Sequence, residues 1–143
     1  MKKHYQSESY PFGDCYRTCL ASILEAENIQ CIPNFMKDGE NKFIENRDNW
    51  LRGNNINSIT VDYDSLNGFC TSLLEKSYII ATGSNKGVFH SVVGTYELIN
   101  DKHEIELIHD PIKDGNYFNK NDNRMGIHQI TIFFGNSKFN VII

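Results

Sequence analysis

The hydrophobic period changes near the middle of the chain, and this change constrains the fold more than any other feature. Before Tyr78 the apolar residues mostly recur every three or four positions, which is typical of amphipathic helices. From Tyr78 onward they form short runs or alternate with polar residues, which is typical of strands. Helices followed by strands predict an α+β fold, because a doubly wound fold would alternate the two.

The first half is predicted to be mainly helical. Asp14 is a candidate N-cap for a helix that runs to about Glu27, with Cys19, Leu20 and Ile23 on one apolar face. This helix begins with a cysteine, Cys15. The other elements predicted in this half are a helix over 41–52 that ends at Gly53, a strand over 56–63 and a helix over 65–76.

The second half is predicted to be an antiparallel sheet. Turns rich in Asn, Gly and Lys separate its strands, and short turns join strands that run in opposite directions. The predicted strands cover 78–83, 89–98, 103–109, 129–134 and 139–143.

The length of 143 residues suits one domain, and no repeat or linker divides it, so we expect a single domain over 1–143. The 14 Lys and Arg against 18 Asp and Glu give a net charge of −4, which argues against binding to nucleic acid or to an anionic membrane. The longest apolar runs, such as 78–81 and 130–134, are far shorter than the roughly 20 residues that cross a bilayer.

No apolar core follows the charged N-terminus, so no secretion signal is predicted and we expect a cytoplasmic chain. In that compartment the four cysteines are expected to be thiols rather than disulfides. Cys15 and Cys19 have a spacing that would allow a shared metal, but Cys31 and Cys70 have no cysteine close to them. We therefore predict neither a metal site nor a cofactor.

Cys15 is the candidate nucleophile. A thiolate is stabilised by the positive end of a helix dipole and by a nearby imidazolium, and Cys15 has the first by its position. The competing interpretation is a small hydrophobic residue that packs at the start of a helix.

His90 and Asp110 are the candidate partners of this thiol. His90 stands at the start of an apolar strand, where an apolar residue would pack better. The competing interpretation is a buried, hydrogen-bonded structural histidine. Pro111 cannot continue a ladder, so Asp110 is expected at a strand end. A hairpin between the two strands would bring Asp110 near His90, which is the contact that orients a catalytic imidazole.

Three segments carry a resemblance to a known family. Residues 14–24 resemble the nucleophile helix of the papain-like leader peptidases fused to bacteriocin exporters, which reads Asp, Cys, Gly, two variable residues, Cys, Leu, Ala. Residues 90–93 resemble their catalytic strand, and Asp110 and Pro111 followed by Gly115 resemble their orienting aspartate segment. The chain is also similar to small stand-alone papain-like proteins of bacteria and phages, through residues 32–35 and 109–111.

The resemblance implies a papain-like fold, with a helical half followed by a sheet half, and a Cys15, His90, Asp110 triad. It also shows two departures. The leader peptidases place an oxyanion-binding glutamine six residues before the cysteine, where this chain has Ser9, and the nearest substitute is Gln6 together with the Cys15 backbone N–H. Tyr16 replaces the glycine that follows the nucleophile, so it is expected to border the cleft and narrow it.

Tyr16, Lys86 and His109 are the candidate substrate-binding residues. Lys86 lies in a turn expected at the mouth of the cleft, and the competing interpretation is a solvated loop lysine. His109 is equally compatible with a pocket residue and with a strand-end histidine.

The predicted function is cysteine-dependent acyl transfer by a small peptidase or amidohydrolase that acts on a peptide, a protein or a small amide. Hydrolysis, deamidation and transfer to an amine would use the same residues. The alternative is an inactive papain-like binding module, a phage or host-interaction protein that holds a peptide or small ligand in the cleft. The absence of glutamine at the usual spacing favours this alternative, and retention of all three triad residues opposes it. The sequence leaves the oligomeric state open.

Overall fold

The computed structural model describes residues 1–6, 14–68, 76–85, 88–113, 115, 118 and 126–134. The described residues form two α-helices and a five-stranded antiparallel sheet, which confirms the α+β class. The predicted strand over 139–143 and most of the helix predicted over 65–76 lie outside these residues. The elements are α1 (Cys15–Ile23), α2 (Phe43–Gly53), β1 (Asn57–Asp62), β2 (Ser77–Asn85), β3 (Val88–Ile99), β4 (Lys102–His109) and β5 (Ile127–Phe134), with 3₁₀ segments at Ile29–Cys31, Glu40–Lys42 and Tyr63–Gly68.

Helix α1 is shorter than predicted, because it ends at Ile23 and not near Glu27. Glu25 adopts a left-handed backbone with φ of 55°, and the Ala26 N–H donates to the Ala21 carbonyl at 2.9 Å. This hydrogen bond between residues five apart satisfies a carbonyl of the last helical turn, and the chain reverses its direction there. The apolar pattern beyond Ile23 therefore belongs to a helix end and not to a further turn.

The sheet has the strand order β1, β5, β2, β3, β4, and all neighbouring pairs are antiparallel. Strands β2, β3 and β4 follow one another as hairpins. Strand β1 comes from the half predicted to be mainly helical, yet it pairs with β5, with Val61 opposite Ile130. The two halves of the chain thus share one sheet.

Apolar side chains cover both faces of the central strands. On β2, Ile80 faces the helices and packs in one core with Leu20 of α1, whereas Ile79 and Ala81 face the opposite core with Val92. Burial on both faces explains why β2 appears in the sequence as a continuous apolar run rather than an alternating one. Within the described residues, no helix is both long enough and apolar enough to span a membrane.

Candidate active site

Helix α1 places Cys15 against the first residues of β3. The Cys19 side chain is fully buried one turn further along, and its thiol donates to the Ser91 carbonyl of β3 with a sulfur to oxygen distance of 3.4 Å. Because residues four apart share a helix face, Cys15 points toward the same strand. Cys15 itself is half-buried, so its sulfur remains within reach of a ligand.

His90 lies between the thiol and a carboxylate. Its side chain is buried, and the distance from its Nε2 to Asp110 Oδ1 is 2.7 Å. The Cys15 side chain is also hydrogen-bonded to this ring. Because Asp110 occupies Nε2, Nδ1 is the ring nitrogen that is left for the Cys15 side chain.

The pKa of His90 is raised from 6.5 to about 9. Burial alone would lower it, because an apolar environment disfavours the charged ring, but the hydrogen bonds to Asp110 and Cys15 outweigh that effect. The imidazole is therefore protonated at neutral pH. A charged ring beside a sulfur is the arrangement that stabilises a thiolate.

The loop after β4 positions the Asp110 carboxylate. Its Oδ1 accepts a hydrogen bond from the Ile112 backbone N–H at 2.9 Å, in addition to the contact with His90. Gly115 lies so close that a Cβ there would be 2.5 Å from Asp110 Oδ2. A side chain at Gly115 would therefore displace the carboxylate.

The start of α1 differs from prediction in its capping. Asp14 occupies the N-cap position, but its side chain makes no capping hydrogen bond. Its buried Oδ2 instead accepts from Arg17 Nη2 at 3.3 Å, while its backbone carbonyl accepts the Thr18 N–H at 3.0 Å.

The N-terminal segment runs beside the Asp110 loop. The Gln6 backbone N–H donates to the Pro111 carbonyl at 2.8 Å, and Gln6 Oε1 is buried. His4 Nε2 donates to the Ala26 carbonyl at 2.7 Å, which attaches the same segment to the end of α1. The structure thus holds Gln6 next to the end of the triad, and an oxyanion role for its amide stays a prediction.

Tyr16 does not border the cleft as expected. Its ring is 6% exposed and packs edge-to-face against Phe35 and Phe43, at centroid distances of 6.4 and 5.4 Å. Its hydroxyl donates to Thr131 Oγ1 at 3.3 Å. Successive helical side chains point about 100° apart, so a helix that turns Cys15 toward β3 turns Tyr16 into the core.

His109, for which the sequence left a pocket role and a strand-end role open, makes a structural contact. It is buried, and its Nε2 donates to the His4 carbonyl at 2.6 Å. Burial lowers the pKa of His109 despite this hydrogen bond. The ring thus tethers the N-terminal segment. Lys86, the third candidate substrate residue, lies outside the described residues, as does Cys70.

Sequence reasoning missed two neighbours of the triad. Phe118 packs edge-to-face against the His90 ring with centroids 6.1 Å apart, and His4 fastens the segment that carries Gln6. Neither residue has a local motif. Only contacts between distant parts of the chain reveal them.

Among the described residues, no group of three or more His, Cys, Asp or Glu side chains is arranged to hold a metal ion. Comparison of the chain with protein-family models, with curated proteins and with solved structures finds no match. Arguments about function therefore depend on the geometry of the site.

Proposed function

We propose that the chain is a cysteine-dependent acyl-transfer enzyme, most simply a small peptidase or amidohydrolase of papain-like architecture. The observation that supports it is that His90 interacts with both Cys15 and Asp110, with its Nε2 2.7 Å from Asp110 Oδ1. Catalysis by a thiol requires a base near the sulfur and a third group that orients the base. The proposed site needs no cofactor.

The chemistry begins with the proton on the imidazole. Because the pKa of His90 is about 9, the resting site at neutral pH holds an imidazolium next to the Cys15 sulfur. The thiolate attacks an amide or ester carbonyl, and His90 then gives its proton to the leaving group. Water, deprotonated by the now neutral His90, attacks the thioester, and the acid product and the thiol are released.

Asp110 fixes the imidazole in this sequence. Its bond to Nε2 keeps a proton on that nitrogen, so Nδ1 is the atom that exchanges a proton with sulfur and with the leaving group. The backbone N–H of Cys15 at the helix start and the amide of Gln6 are the proposed donors to the oxyanion. The same residues would serve deamidation or transfer to an amine.

Alkylation of the cysteines tests the proposal directly. At about pH 6, iodoacetamide should modify Cys15 at least about tenfold faster than the exposed Cys31, since the charged His90 ring interacts with the Cys15 side chain. Peptide mass mapping of a time course measures both rates in one sample. His90→Ala should remove the difference.

The control for folding is the circular dichroism spectrum of the His90→Ala variant. If Cys15 of the folded, reduced wild type reacts no faster than Cys31, the acyl-transfer proposal is wrong. An inactive binding module would then be the better interpretation of the cleft.

A further inference from the structure

A cleft lies between α2 and the edge strand β1. It is open to solvent on one side, has a volume of about 440 Å³ and is lined by residues of α2, by Ile56 and by the first residues of β1. None of Cys15, His90 and Asp110 lines it. The volume falls within the range of small-molecule sites, about 300 to 1,000 Å³.

The inner wall of this cleft carries a buried cation. The Arg47 side chain is 8% exposed, and its Nε donates to Asp48 Oδ1 at 3.0 Å. The guanidinium carbon lies 5.6 Å from the Tyr16 ring centroid and 5.8 Å from that of Phe43, and Arg47 also hydrogen-bonds the Tyr16 hydroxyl. Aromatic faces thus hold the guanidinium in one place.

These contacts use only part of the hydrogen-bonding capacity of Arg47. A guanidinium has five N–H donors, and within the described part of the chain its acceptors are Asp48 Oδ1 and the Tyr16 hydroxyl. An acceptor group entering the cleft would meet the remaining donors.

The other residues that line the cleft favour an organic anion over an inorganic one. Arg52 adds a second guanidinium, so with Asp48 the charged lining groups of the cleft sum to one positive charge. Leu51 and Ile56 supply an apolar wall, and Ser58 is a further polar residue of the lining. An inorganic ion would leave the apolar wall and most of the volume unused.

We propose that this cleft binds a small organic carboxylate, with its carboxylate on Arg47 and Arg52 and its carbon chain against Leu51 and Ile56. The planar fork of arginine matches a carboxylate with two parallel hydrogen bonds. The site is separate from the triad, and its existence does not depend on the acyl-transfer proposal.

Calorimetric titration with glutarate at constant pH and ionic strength tests the site. We expect saturable binding with a dissociation constant of about 1 mM or tighter. Arg52→Gln should weaken it at least about tenfold, and Arg52 is exposed, so this variant should fold normally. Lys102→Gln removes one positive charge from β4, at the opposite edge of the sheet, and should bind as the wild type does.

The same titration with inorganic phosphate in place of glutarate distinguishes a site specific for carboxylates from a general attraction of anions. Weaker binding of phosphate, by about tenfold or more, supports the proposal. The proposal is wrong if glutarate shows no saturable heat, if Arg52→Gln and Lys102→Gln weaken it equally, or if phosphate binds as tightly as glutarate.

Discussion

Cys15 and the Asp110 carboxylate both act on the His90 ring, and together they determine its charge. Burial disfavours the imidazolium, but each of the two hydrogen bonds favours it. Their combined effect keeps the ring charged at neutral pH. A substitution of Cys15 or of Asp110 should therefore change the pKa of His90 even where the fold is unchanged.

Gln6 is the residue whose assigned role most needs a test. Gln6→Ala should lower the turnover of a peptide substrate, chosen for its Cys15-dependent cleavage, by about 10²-fold, because one oxyanion donor is lost. Alkylation of Cys15 should be unchanged, since no oxyanion forms in that reaction. Lys3→Ala, on the exposed part of the same segment, is the matched control. Turnover within about twofold of wild type would remove Gln6 from the oxyanion site.

At the scale of elements, the site is built where α1, the start of β3 and the end of β4 meet. Helix α1 packs on β3 through buried residues such as Cys19, and the β3–β4 hairpin brings the loop of Asp110 back to His90. Helix α1 and strand β3 supply Cys15 and His90, and the loop that follows β4 supplies Asp110. The loop that ends β4 is the least regular of these parts, and its shape depends on a hydrogen bond from Ile112 and on the absence of a side chain at Gly115.

Gly115→Ala should displace the Asp110 carboxylate, because the new Cβ would lie 2.5 Å from Oδ2. The lost contact should lower the pKa of His90 by roughly one unit or more, measured by NMR titration of its ring. Gly53→Ala is the control, since a Cβ there meets no atom within 4 Å. An unchanged His90 titration in Gly115→Ala would show that the loop does not position the carboxylate.

At the scale of the whole molecule, the charged His90 contributes to stability. Its pKa is about 9 in the folded state and about 6.5 when unfolded, so the folded state binds the proton more tightly. The contribution is complete below about pH 6.5 and disappears as the pH rises through about 9.

His90→Gln should therefore lower the free energy of unfolding more at about pH 6 than at about pH 10, by on the order of 2 kcal/mol. Urea denaturation of both proteins at the two pH values measures this difference. Because both proteins are measured at each pH, the titration of groups that do not interact with His90 cancels. An equal loss at both pH values would mean that the pKa of His90 is the same in the folded and unfolded states.

Local patterns in the sequence were enough to predict several features of the structure. The change of hydrophobic period predicted the α+β class, and the polar turns predicted the β3–β4 hairpin, because both signals extend over only a few residues. The position of Asp110 near His90 followed from that hairpin. The continuous apolar run of β2 likewise reflects burial on both of its faces.

Tertiary structure alone decided features that depend on distant partners. The pairing of β1 with β5 joins segments far apart in the chain, and no local signal names that partner. Tyr16 and His109 stand next to Cys15 and Asp110 in sequence, yet both are buried away from the expected cleft. Adjacent side chains in a helix or strand point in different directions, so the packing of each element decides which of two neighbours reaches the site.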